Sequence, residues 1–315
     1  MNKRILIADA VSAVGLSKLK SIGQFEVIDA GHWDRQQLES EIGGFHALIV
    51  RSSTQVDQRL LDKATQLEVV IRAGTGVDNI DVDYAKQKNV IVMNTPGTNA
   101  QAAAELTIGL MLSLVRMIPQ AIGSVEQGLW ERKRFVGTQL YQKTLGIIGI
   151  GNIGQRVAKI AHGFGMRVLG FDPRETIELL PGVNIERVDL ATVQAQSDFI
   201  SLHAALNPQT QVMIDHTFFA MMKPGAYLIN CSRAELVKSV DLVAAIEQGH
   251  VAGAAVDVLP QEPPEQGDIF VSHPHILVTP HIGASTKEAQ DNVMLQVCEQ
   301  LQSYFLEGIT QHQVM

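Results

Sequence analysis

The chain has 315 residues, 46 % of them hydrophobic, and a formal net charge of −8. That length suggests two domains with ample material for buried cores. The acidic balance excludes a protein built mainly to hold nucleic acid, which needs a basic footprint, but leaves room for a small anionic substrate held by local basic residues. Cys231 and Cys298 offer neither a disulfide framework nor a metal-ligand spacing, so no metal is expected. The N-terminus "MNKRILIADA" lacks the apolar core of a signal peptide, and the stretch "LTIGLMLSLVRMI" carries Arg116 and falls short of a membrane span. A cytoplasmic protein with no membrane partner is the expectation.

In chain order, the first third holds the runs "RILIADA", "FEVID", "ALIVRSS", "EVVIRAG" and "VIVMNTPG". From Lys143 onward come "TLGIIGI", "RVLGFD", "FISLHA", "AYLINCS", "AGAAVDVL" and "HILVTPH". Each is a nearly continuous apolar block, as parallel strands covered on both faces require. Helical patterns alternate with them, which predicts α/β architecture with right-handed crossovers: two doubly wound parallel-sheet domains. One helix, "NAQAAAELTIGLMLSLVRMI", separates the two sets, with Asn99 as its N-cap and Pro119 beyond its end. Residues 285 to 308 are helical again, with Ala289, Val293, Val297, Leu301 and Tyr304 on one buried face.

The run "TLGIIGI" leads into Gly149-Ile150-Gly151-Asn152-Ile153-Gly154, a GxGxxG. Alone that pattern is weak, because glycine-rich turns occur by chance. Here a strand precedes it, an amphipathic helix follows, and a second strand ends at Asp172, 18 residues past Gly154. Gly149 and Gly151 would let the backbone approach a pyrophosphate, and Gly154 would let helix and strand pack closely. The helix N-terminus offers free N–H groups to the phosphates. Asp172 can accept from both hydroxyls of an adenosine ribose and would repel a 2′-phosphate, which favours NAD over NADP; Arg174, two residues on, is the residue that could accommodate that phosphate.

Ligands of open α/β sheets bind beyond the carboxyl ends of the strands. There the sequence places Arg233 after "AYLINCS", Glu262 after "AGAAVDVL" and His281 after "HILVTP". Singly, these read as a loop arginine, a solvated charge in a proline-rich turn and a turn histidine. Together behind a nucleotide fingerprint, they are the residue types that hydride transfer from a hydroxyl-bearing carbon needs. The imidazole exchanges the hydroxyl proton, the carboxylate fixes its tautomer, and the guanidinium holds a substrate carboxylate. His203, Cys231 and Asp257, also at strand ends, are read as cofactor-side residues, whereas His273 and His275 read as exposed loop residues.

The segments "KTLGIIGIGNIGQRVAKIAHGFGMRVLGFDP", "INCSRAELV", "GAAVDVLPQEPP" and "TPHIGASTKEAQ" resemble the D-2-hydroxyacid dehydrogenases in order and spacing. With "LIVRSSTQV", "IRAGTGVDNID", "NTPGTNAQAAAELT" and "WERKRFVGTQL", the resemblance spans nearly the whole chain and is nearest to the family's phosphoglycerate-oxidising members. It implies NAD as cofactor and Arg233, Glu262 and His281 as the catalytic set. It also implies a discontinuous flavodoxin-like substrate domain, residues 1–98 with 283–315, around a Rossmann NAD domain, 99–282. The loop "AGTGVDN", with Gly74, Thr75 and Gly76, would hold the substrate carboxylate through its amides, and the central helix would support a homodimer or homotetramer. The chain departs from the family pattern at Ala234-Glu235, where two glycines are usual, at Lys238, where an acidic residue is usual, and at Gln142, where glycine is common; each departure bears on the local backbone. It also ends at Met315 with no C-terminal regulatory domain, so serine feedback through one is not expected.

Arg51 and Arg72 each follow a strand of the first domain, and "WERKRF" supplies Arg132, Lys133 and Arg134. Some of these are expected to grip a phosphate, the arm reaching toward a partner subunit. The expected reaction is oxidation of 3-phosphoglycerate, the entry to serine synthesis. The same chemistry on hydroxypyruvate, glyoxylate or D-lactate is the competing reading, and a NAD-sensing corepressor-like interaction protein the more distant one.

Overall fold

The computed structural model describes residues 2–314. They form two units, the first running to Asn99 and resuming at Ser285, the second spanning Ala100–Ala284. The architecture is α/β with two parallel sheets, as the apolar runs predict.

In the first unit, β1 (Lys3–Ile7), β2 (Phe25–Asp29), β3 (Ala47–Val50), β4 (Val69–Arg72) and β5 (Ile91–Asn94) make a parallel sheet in the order β2-β1-β3-β4-β5. All four residues of β3 are buried, because helices cover both faces. The helices α1 (Ala13–Lys20), α2 (Arg35–Glu41), α3 (Gln58–Lys63) and α4 (Val82–Gln87) begin where Ser12, Asp34, Asp57 and Asp81 accept from backbone N–H groups of the first turn. The C-terminal helix Lys287–Gln302, capped by Thr286, returns to bury Val293, Val297 and Leu301 against Ile5, Ile7 and Ile71. Beyond it the chain lies along β5: Asn94 N donates to His312 O and Val314 N to Val92 O. That covers a sheet edge whose polar groups would otherwise be open to another chain.

In the second unit, β6 (Thr144–Ile148), β7 (Arg167–Phe171), β8 (Glu186–Arg187), β9 (Phe199–Leu202), β10 (Ala226–Asn230), β11 (Val251–Val256) and β12 (Ile276–Val278) lie in the order β12-β11-β10-β9-β6-β7-β8. The chain winds one way from β6 through β8 and the other way from β9 through β12, so the order reverses beside β6. The two-residue β8, charged throughout, is the only strand here without an apolar run to announce it.

The central helix differs from its sequence reading. It ends at Val115 (α5, Ala100–Val115), Met117 takes a left-handed φ of +50°, and a second helix (α6, Ile118–Glu126) leaves at 60°. Pro119 sits in the first turn of α6, where its missing N–H costs nothing, so it opens a helix instead of closing one. Most of α5 is buried, whereas Ile122 and Val125 of α6 are exposed. No single helix among the described residues is long and apolar enough to cross a membrane; only this bent pair, taken together, has the length and composition for it.

Two departures from the family pattern resolve differently. Gln142 adopts φ +62°, a conformation that glycine takes without strain. Ala234 and Glu235 instead form a 3-10 turn and are absent from the positive-φ positions, so this backbone does not require glycine there.

Candidate active site

The glycine turn leaves β6 and enters α7 (Asn152–Gly163). Gly149 has φ +97°, and a Cβ there would lie 2.6 Å from the backbone of His203. A Cβ on Gly154 would meet Gly149 O at 2.2 Å. The protein's own packing therefore demands both glycines. Gly151 is different: a Cβ on it would meet nothing within 4 Å. Its Cα faces open space at the N-terminus of α7, whose cap residue makes no side-chain hydrogen bond to the first turn. Asn152 and Ile153 open that turn. An open cradle ending in unsatisfied N–H groups, at the reversal of the strand order, suits a pyrophosphate.

Asp172, one residue beyond β7, has a nearly buried carboxylate whose acceptor sites are filled. Oδ1 accepts from Arg174 N (3.1 Å) and Nε (2.9 Å), and Oδ2 from Arg174 Nη2 (2.8 Å) and Ile150 N (2.9 Å). The Arg174 side chain holds this carboxyl down at about 2, against burial, so it is ionised across the neutral range.

His203 follows β9 and abuts Gly149. Its Nε2 bonds Ser201 Oγ at 2.8 Å while Nδ1 is enclosed, although the residue as a whole keeps some exposed surface. Burial pushes this imidazole down to about 3. The folded chain keeps it neutral while the unfolded chain binds a proton near pH 6.5, so its contribution to stability is intact above that pH and lost as pH falls toward 3. We expect about 1 kcal/mol less stability at pH 5.5 than at pH 7.5 from this group alone. Urea titrations at the two pH values should show it, and His203→Gln should remove that share. An unchanged difference in the variant would assign the slope to other groups.

Cys231, just past β10, is buried in the core of the unit, and burial pushes its thiol up to about 12, so it is a neutral packing group. Arg233 follows on a turn organised by Asn230, whose Oδ1 accepts from Ser232 N and whose Nδ2 donates to Arg233 O. The guanidinium Nη1 donates to Ser232 O. Asn230, 1 % exposed at a strand's last position, was not singled out from the sequence; a polar residue ending an apolar run was the available signal.

Glu262 and His281 meet. His281 Nδ1 lies 2.7 Å from Glu262 Oε2, and Glu262 Oε1 accepts from Leu259 N. A cavity of about 390 Å³ adjoins the pair, walled by Leu259, Pro263, Pro264, Val271, Val278 and Pro280. His281 itself takes φ +53°, a strained conformation for a side-chain-bearing residue and one that collects at working sites. Asp257 holds it there. This carboxylate, 1 % exposed, accepts from Thr279 Oγ1 (2.6 Å), Ile282 N (2.8 Å) and Gly283 N (2.8 Å), so its partners are the turn on either side of the imidazole. With Nδ1–H donated to Glu262, the lone pair of Nε2 is left for chemistry.

In the first unit, Arg51 opens the loop after β3, and its Nη1 reaches Ala10 O at 3.4 Å. Arg72 ends β4, with Nη1 donating to Ala73 O. Its guanidinium lies so close over Gly74 that any Cβ there would overlap it. Thr75 donates from Oγ1 to Asn99 and accepts Asn94 Nδ2 at its carbonyl (2.6 Å), while Gly76 continues the half-exposed loop. Arg132 stands exposed on a turn of the second unit beside Trp130, which is 77 % exposed.

Residues 108–283 match the model of the D-isomer specific 2-hydroxyacid dehydrogenase NAD binding domain. The chain belongs to that family. It therefore carries the family's NAD-binding domain, with the glycine cradle inside the matched span. It is 42 % identical to D-3-phosphoglycerate dehydrogenase of Bacillus subtilis over 95 % of its own length and 56 % of that relative's. To the human enzyme of the same name it is 38 % identical over 99 % of its length, covering 59 % of the relative. The chain thus spans little more than half of these curated relatives. Among solved structures, NAD⁺-bound 3-phosphoglycerate dehydrogenase of Entamoeba histolytica superposes with a TM-score of 0.85 at 26 % identity, covering 100 % of this chain and 99 % of that one.

Proposed function

We propose that this chain oxidises a phosphorylated D-2-hydroxy acid, 3-phosphoglycerate, to the 2-oxo acid with NAD; both relatives are named 3-phosphoglycerate dehydrogenases, and the Entamoeba structure is named with NAD⁺ bound. The observation that carries the reading is the 2.7 Å contact between Glu262 Oε2 and His281 Nδ1, which leaves Nε2 clear of Glu262, in the unit that carries the glycine cradle. The α7 N-terminus and Gly151 would hold the pyrophosphate of NAD, and Asp172 its ribose. Bound there, NAD supplies the hydride acceptor. His281 Nε2 takes the proton of the 2-hydroxyl as the carbon–hydrogen bond breaks, and the resulting imidazolium is stabilised by the Glu262 carboxylate. Arg233 offers a fork for the substrate carboxylate or the reacting oxygen. Arg51, Arg72 and Arg132 are assigned to the phosphate, and the amides of residues 73–79 to the carboxylate.

The test follows NADH oxidation with 3-phosphohydroxypyruvate, hydroxypyruvate, glyoxylate and pyruvate. A kcat/KM advantage of about a hundredfold for the phosphorylated acid, the worth of a charged pair, supports the assignment. Arg132→Ala should then remove a large part of that advantage. Preference for an unphosphorylated acid keeps the chemistry and overturns the substrate.

A further inference from the structure

The first sheet reverses its strand order between β1 and β3, so the loops after those two strands flank the crevice where open α/β sheets bind ligands. The loop after β1 carries Asp9, which is 7 % exposed. Its Oδ2 accepts from Arg51 N and Thr54 N, and its Oδ1 from Thr54 Oγ1. On the carbonyl side of the same turn stands Asn79, whose Nδ2 donates to both Arg51 O (2.7 Å) and Thr54 O (2.6 Å). Asn79 is itself the last residue of the loop 73–79, and its carbonyl accepts Val56 N at 2.8 Å. The turn that presents Arg51 is thus gripped on its donor side by Asp9 and on its acceptor side by the loop assigned to the substrate carboxylate.

We infer that Asn79, backed by Asp9, is a positioning residue for substrate specificity: it sets the spacing between the loop that holds the carboxylate and the turn that aims Arg51 at a second anionic group. This inference rests on the proposed assignment of those two loops. The chemistry of this side chain fits a bridging role and not one of direct contact. Both protons of the side-chain amide are spent on backbone carbonyls, so the Asn79 side chain has no donor left for a substrate. A substrate anchored at both ends feels the spacing; one anchored only by its carboxylate does not.

The experiment compares the wild type with Asn79→Asp, Asp9→Asn, Arg51→Ala and the Arg51→Ala/Asn79→Asp double variant. Asn79→Asp keeps the shape and loses the donors. It should raise KM for 3-phosphohydroxypyruvate at least tenfold more than KM for hydroxypyruvate, with NADH affinity retained. In the Arg51→Ala background it should add no further loss, because Asn79 acts through Arg51. Asp9→Asn should reproduce the pattern from the other side of the turn. Equal KM increases for both acids, or additivity with Arg51→Ala, would overturn the inference. If the wild type fails to prefer the phosphorylated acid, the substrate assignment falls separately. The clamp is then judged by amide hydrogen exchange: residues 51–54 should exchange at least tenfold faster in Asn79→Asp with β3 unchanged, and equal exchange overturns it.

Discussion

Replacing His281 by asparagine is expected to lower kcat about a thousandfold while leaving NADH affinity within a factor of two. The size follows from the role. General acid–base catalysis by a positioned side chain contributes about 10²–10⁴-fold, and a thousandfold corresponds to about 4 kcal/mol of barrier. Asparagine is the informative choice because the backbone at this position has φ +53°, which asparagine adopts more readily than alanine. The turn held by Asp257 through Thr279, Ile282 and Gly283 should therefore survive. Cofactor binding is read from NADH fluorescence and the chemical step from single-turnover oxidation of NADH. A loss below tenfold would remove His281 from the chemistry and leave the Glu262 contact as a structural ion pair. Glu262→Gln is the companion: it can still face Nδ1 but no longer stabilises an imidazolium, so a smaller loss is expected.

Why His281 could be singled out from the sequence, and Asp257 only half understood, shows what a linear reading contains. The apolar runs locate strands because parallel strands are covered on both faces, and the residue after each run is then placed at the carboxyl edge. That logic singled out Arg233, Glu262 and His281 as candidates beyond strand ends, where the structure places them, and Asp257 as another strand-end residue. It could not say whom Asp257 serves. Its hydrogen-bond partners lie 22 to 26 residues further along the chain, where the end of β12 is carried beside β11 by the sheet order. The same holds for Asn79, whose partners 25 and 28 residues earlier are backbone carbonyls and leave no trace in sequence. Backbone events were the other blind spot. Pro119 announces a break nearby, but residues 113–118 hold no glycine or asparagine, so nothing marks Met117 as the left-handed residue that splits α5 from α6. Gly151 was legible from its place in the sequence, as the second glycine of a GxGxxG set between a strand and a helix, and the space that a Cβ would occupy there is open.

Replacing Asp172 by serine should shift the ratio of NADPH to NADH affinity by about a hundredfold toward NADPH. Two effects point the same way. The carboxylate, held ionised down to about pH 2, repels a 2′-phosphate and is the acceptor suited to ribose hydroxyls. It also occupies Arg174, which gives Asp172 its backbone N–H, Nε and Nη2. For the ribose to bond, Arg174 must surrender at least one of these sites, because Ile150 N takes the remaining one. Arg174 is 60 % exposed, so that rearrangement costs little packing. With serine at 172 the guanidinium has no carboxylate to grip and is available to a phosphate in the same place. Hydrogen bonds to charged groups contribute about 1.5–3 kcal/mol each, and losing one for NADH while gaining one for NADPH gives about a hundredfold at the low end of that range, as suits an exposed arginine. Dissociation constants for both nucleotides, measured by fluorescence titration without substrate, test it. Adding Arg174→Ala should abolish the gain in NADPH affinity while leaving the loss in NADH affinity. If the double variant still favours NADPH, the discrimination lies elsewhere in the glycine turn and Arg174 is only a lid on Asp172.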